Sequence, residues 1–152
     1  MSLDTGVIDP RNMTLRVPRE LVSPNRWNGR HWRGKHRISQ DWQLELRYAG
    51  WSQALTWRAS DHGRVRVSIT REVPSGRNFI RDDDNLRFCV KPLLDALKRQ
   101  GYIKNDSRKW IELPTPEQKI SADGEYWTEI HLQSLAVSAP TAKAKDNKVR
   151  QR

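Results

Sequence analysis

Residues 64–73 read RVRVSITREV. Val65, Val67 and Ile69 alternate with Arg66, Ser68 and Thr70, the two-residue period of a strand with one apolar and one solvated face. This predicts a half-buried β-strand with a wet, basic outer side, ended by Pro74, Ser75 and Gly76. Upstream the period lengthens to that of a helix. Trp42, Leu46 and Ala49 fall on one stripe, and Leu44, Tyr48, Trp51 and Leu55 on a neighbouring one, so a helix with two apolar flanks is expected over 40–55. Ser39 is its expected N-cap and Gly50 a weak point. Downstream, Leu86, Val90, Leu93 and Leu97 recur at helical spacing, predicting a helix from Asp84 that kinks at Pro92 and stops at Gly101. Shorter strand signals lie at Thr14–Val17, about 109–113 and about 126–132. Strand, helix, strand, helix, strand, strand, with mostly hairpin-linked strands, gives an α+β domain: a small mixed or antiparallel sheet packed with two main helices.

A chain of 152 residues suits one hydrophobic core. Residues 1–13 read as a lead without periodicity, 14–135 as the folded domain, and 136–152 as a basic tail expected to be disordered. No apolar run approaches the roughly 20 residues of a membrane span, and the N-terminus has no apolar signal core, so membrane and secretory readings are excluded. Cys89 is the single cysteine, which leaves no internal disulfide and no zinc framework. A cytoplasmic location fits, with Cys89 as a core residue or a spectator.

Twenty-eight Lys and Arg oppose 18 Asp and Glu, a net charge of +10 that favours a polyanionic partner, nucleic acid before a membrane surface. The densest basic stretch is residues 26–37, RWNGRHWRGKHR, with five Lys or Arg and no acid. Gly29 and Gly34 within it predict a mobile loop. Against this background the acids of Arg81-Asp82-Asp83-Asp84-Asn85 stand out. Adjacent carboxylates repel and call for a counter-cation, and Mg²⁺ prefers such hard oxygen ligands. In an extended segment Asp82 and Asp84 would point the same way while Asp83 points elsewhere. The plainer alternative is that Asp84 caps the helix and its neighbours favour the dipole. Lys91 lies two helical turns beyond Asp84 on the same face, although a salt bridge with Asp95 would also explain it. Asp106 follows the helix in a loop able to fold back towards its start.

Taken together, Asp82-Asp83-Asp84-Asn85-Leu86, Lys91-Pro92-Leu93-Leu94-Asp95-Ala96-Leu97 and Gly101-Tyr102-Ile103-Lys104-Asn105-Asp106 resemble the RusA-type Holliday junction endodeoxyribonucleases. Ser23-Pro24-Asn25-Arg26 is similar to the segment that precedes that family's basic loop. The likeness covers about residues 14–132. It implies a RusA-like fold and a homodimer, of bacterial or phage origin, that resolves four-way DNA junctions by paired symmetrical nicks. It also implies that Asp82, Asp84 and Asp106 hold Mg²⁺, with Mn²⁺ as a possible substitute, and that Lys91 is the cation near the scissile phosphate. No small-molecule cofactor is implied. One departure is Asn105, where the family has an aspartate, which removes a charge from that motif.

On this reading Asn25, Arg26, Arg30, Arg33, Lys35, Arg37, Arg77 and Arg81 grip DNA phosphates. Trp27 and Trp32 either stack on unpaired bases or fill the core beneath the loop. His31 and His36 are expected to be surface residues, with no third partner for a metal. Two rivals remain open: a nucleic-acid-binding protein without catalysis, and a metal nuclease acting on flaps or forks.

Overall fold

The computed structural model describes residues 9–27, 32–53 and 56–135, and of residue 32 the backbone only. In chain order the elements are β1 (Asn12–Val17), α1 (Pro24–Trp27), α2 (Trp32–Ser52), β2 (Val65–Val73), α3 (Asp83–Phe88), α4 (Lys91–Arg99), β3 (Ile111–Glu112), β4 (Glu117–Ile120) and β5 (Trp127–Ser134). The basic tail, the first eight residues, Arg30, His31 and Leu55 lie outside the described residues. The class is α+β, and no helix among the described residues is long and apolar enough to cross a membrane.

The strand predicted over 64–73 is the centre of the sheet. β2 pairs antiparallel with β5, which in turn pairs antiparallel with β1. Along its other edge β2 is joined by two short parallel strands, β3 beside Val65 and Arg66 and β4 beside Thr70 to Val73. The expectation of hairpin-linked strands is therefore wrong. β2 and β3 run parallel, and parallel neighbours require a crossover, which α3 and α4 supply. β4 was not anticipated, since its Glu-Gln-Lys-Ile has no apolar alternation.

One face of the sheet, carrying Leu15, Val17, Val67, Ile69, Ile130 and Leu132, packs with Trp42, Leu46 and Ala49 of α2 and Leu93, Ala96 and Leu97 of α4. α2 is longer than predicted, starting eight residues earlier. The second half of the expected mobile loop is thus helical, and Ser39 sits inside the helix rather than at its cap. Gly34 costs about 1 kcal/mol in a helix, which burial along the Trp42 stripe outweighs. Only one of the two anticipated flanks is core: Leu44, Tyr48 and Trp51 are 60%, 65% and 79% exposed.

The helix expected from Asp84 is two helices, broken at Cys89 and Val90. Pro92 is the second residue of α4, where its missing N–H has no intrahelical partner to lose, so it starts a helix rather than kinking one. Gly101, at φ +79°, ends α4 as predicted: its amide donates to the Lys98 carbonyl and the Tyr102 amide to that of Leu97. Gly50 has a packing reason. A Cβ there would collide with the Tyr102 hydroxyl, which reaches the Leu46 carbonyl of α2.

Candidate functional site

Two distant sequence segments meet at the acidic turn. Asn25 and Arg26 of α1 line the same cleft, of about 340 Å³, as Arg81, Asp82 and Asn85 at the start of α3, with Tyr126 at its edge. A buried cation holds them there. Arg71 on β2 is 3% exposed, and its guanidinium donates to the carbonyls of Leu21 at 2.7 Å and Asn78 at 2.7 Å, to Gln118 Oε1 at 3.2 Å and to the Glu20 carboxylate at 3.0 Å. Gln118 in turn accepts from the Ile80 amide and donates to the Ile80 carbonyl, both at 2.9 Å. One arginine and one glutamine thus pin the backbone before α1 to the backbone before α3. Sequence reasoning missed this pair, although a signal was present. Arg71 is in phase with Val65, Val67 and Ile69, so the strand pattern itself turns it inward, and a charge on the apolar face needs partners.

At the turn, Asp82 is the N-cap of α3, with extended backbone, and its Oδ1 accepts from the Asn85 amide at 2.8 Å. Asp83 and Asp84 form the first turn, where negative charge favours the helix N-terminus. Capping by Asp82 rather than Asp84 corrects one expectation. The alternation argument also fails, because Asp84 is already helical. All three carboxylates are exposed, and Asp83 and Asp84 make no hydrogen bond or ion pair among the described residues.

Asp106 is not at this cleft. It is exposed and lines a neighbouring cavity with Arg64, Arg87 and Arg108. Arg87 lies in the last turn of α3. Among the described residues no three Asp, Glu, His or Cys side chains gather closely enough to hold a metal ion. The three-carboxylate centre expected of Asp82, Asp84 and Asp106 is therefore not assembled within the chain. In the loop that carries Asp106, Asn105 Oδ1 accepts from the Ser107 amide at 3.0 Å. What remains for a divalent cation is the second oxygen of Asp82 together with Asp83 and Asp84. These are hard ligands of the kind Mg²⁺ takes one or two at a time, completing its shell with water and phosphate.

Lys91 is exposed and opens α4. Because α3 ends before it, the same-face relation to Asp84 within one helix does not hold. Nor does Lys91 pair with Asp95. Arg77 and Arg81 are exposed, and Arg81 lines the cleft. Arg26 pairs with Glu20 at 3.3 Å. Arg33, Lys35 and Arg37 project from the first turns of α2, with Lys35 Nζ 6.0 Å from the Trp27 ring centroid. Trp27 is half-buried, and its indole N–H has no partner among the described residues. His36 is exposed, as expected. Cys89 is 1% exposed, and burial pushes its thiol up to about 11, which makes it an inert core residue.

No protein-family profile and no curated protein sequence gives a significant match to the chain.

Proposed function

We propose that this protein is a metal-dependent endonuclease that binds branched DNA and nicks it at the acidic turn. The observation that carries the reading is the convergence of Asn25-Arg26 and Arg81-Asp82-Asn85 on one cleft. Segments some fifty-five residues apart bring phosphate-gripping cations against exposed carboxylates. When bound, Mg²⁺ or Mn²⁺ would activate water and stabilise charge on the phosphate. Asp82 and Asp84 would hold the ion, Arg81 and Arg26 would orient the backbone, and Lys91 would balance charge from the start of α4. Resemblance to the RusA-type enzymes supports a four-way junction as substrate and a homodimer as the acting form, because a two-fold protein suits a two-fold substrate. Asp106 enters this reading only if the 101–107 loop or a second copy brings it closer.

A second reading has its own support. The capping bond from Asp82 to the Asn85 amide gives that acid a structural role, and Asp106 lies elsewhere. On that reading the protein binds nucleic acid without cutting it. A synthetic four-way junction, a flap and a linear duplex, each incubated with the protein in Mg²⁺ and in chelator, separate the two. Paired nicks in the junction that vanish with chelator support the endonuclease. Salt-sensitive binding with no cleavage of any of the three overturns it.

A further inference from the structure

The outer side of α2 is a continuous stripe left bare by the fold. Arg33, Arg37 and Gln40 lie along its N-terminal half, and Leu44, Arg47, Tyr48 and Trp51 follow on the same face at helical spacing. All seven are exposed. Arg37 and Arg47 make no ion pair or hydrogen bond among the described residues. The acid at the margin, Asp41, already accepts from Arg19 at 3.3 Å. The Tyr48 and Trp51 rings lie side by side, with centroids 6.3 Å apart and planes tilted by 47°. From Arg33 to Trp51 the stripe runs about 27 Å.

It is also continuous with the acidic cleft. Arg26 lines both that cleft and a second cavity beneath α1 and α2, and Arg37 lines both this second cavity and a groove along α2 with Arg33 and Arg47. Arginines therefore line three successive cavities from the acidic cleft to the groove along α2.

We infer that the outer face of α2 is a binding track for single-stranded nucleic acid, with Arg37 and Arg47 on the phosphates and Tyr48 and Trp51 stacked on unpaired bases. Each half of the stripe meets a different part of one ligand: guanidinium groups suit a polyanionic backbone, and exposed aromatic rings offer faces to any base. A second copy of the chain suits it less well. Positions 33, 37, 40, 44, 47 and 51 keep the four–three spacing of a helix–helix seam, but arginine occupies three of the six. Such a seam is apolar in a stable pair, and Asp41 at the margin of this one is already engaged by Arg19. The inference rests on the nucleic-acid part of the proposed function and not on cleavage.

The test is fluorescence anisotropy of the full-length protein with a labelled oligothymidylate of about 12 nucleotides. Tyr48→Ala and Trp51→Ala should each weaken binding by roughly tenfold to a hundredfold, and Trp51→Phe should restore most of the loss. Arg37→Ala and Arg47→Ala should each lower the slope of log affinity against log salt by about 0.7. These side chains are exposed, so thermal melts should match the wild type. A wild type that fails to bind the oligonucleotide, or variants that bind it within about twofold of wild type, would overturn the inference. So would sedimentation showing a wild-type dimer that Tyr48→Ala dissociates while oligonucleotide affinity is unchanged, which would assign the face to a second copy. Junction nicking by the same variants keeps the two proposals apart. Normal oligonucleotide binding without nicking by the wild type defeats only the cleavage reading, and nicking with variant affinities intact defeats only this one.

Discussion

Two groups of acids in this molecule meet different fates. In and beside the sheet, Glu20 holds Arg71 and Arg26, Glu72 sits between Arg16 at 3.0 Å and Lys119 at 3.6 Å, and Glu112 holds Arg66 at 3.1 Å. At the start of α3, Asp82, Asp83 and Asp84 crowd together with no such partner, in a chain carrying ten more cations than anions. Arginines stand near that turn, yet none closes on it. The sheet acids are part of the scaffold. Those at the turn repel one another and contribute to the helix start only a cap and a favourable dipole.

The contrast breaks first at Arg71. Arg71→Ala takes the donor from the Leu21 and Asn78 carbonyls and from Gln118 Oε1, leaves Glu20 with Arg26 alone, and should cost about 3–5 kcal/mol in urea unfolding. A loss below about 1 kcal/mol would mean that the clamp does not hold the cleft segments together. Next comes Asp82→Asn. Asparagine caps a helix as well as aspartate does, so stability should hold while junction nicking falls on the order of a hundredfold or more. Nicking at the wild-type rate would return the turn to a structural role. Glu72→Gln should cost about 1–2 kcal/mol, because the carboxylate is buried but both partner cations remain about half in water. Asp82→Ala should lower stability by about 1 kcal/mol relative to Asp82→Asn, isolating the cap from the charge in paired thermal melts.

The smallest effect is at acid pH. Hydrogen bonds from the Glu125 amide and the Trp127 indole hold the Asp123 carboxyl below its ordinary value. The stabilisation is present at neutral pH and is lost as the pH falls through that lowered value. Asp123→Ala should therefore show a slightly flatter acid limb when stability is followed from neutral to acid pH, with little change at the neutral end.

Much of the fold was legible where one side chain repeats one environment. Val65, Val67 and Ile69 announced the central strand, and Trp42, Leu46 and Ala49 announced the buried side of α2. Gly101 announced the end of α4. The errors arose where local signals compete. Gly34 reads as a loop residue until the burial further along the helix is counted, and Pro92 reads as a kink unless the break at Cys89 is known. Leu44, Tyr48 and Trp51 have the spacing of a core flank, but hydrophobic spacing is blind to whether a second layer exists to cover it. Of the candidate site, the sequence marked Asn25, Arg26 and Arg81 for phosphates and Asp82 for a metal ion, and these four line one cleft. Asp106 does not join them.

By itself the order of residues settled the charge excess, the central strand and the helical stripes, because each depends on neighbours within a few positions. Pairing β5 between β1 and β2, giving the inward Arg71 the partners that clamp the two cleft segments, and placing Asp106 on a different cavity from Asp82 belonged to the tertiary structure. Those outcomes rest on contacts between residues tens of positions apart, whose geometry emerges only when the sheet closes and buried polar groups find partners.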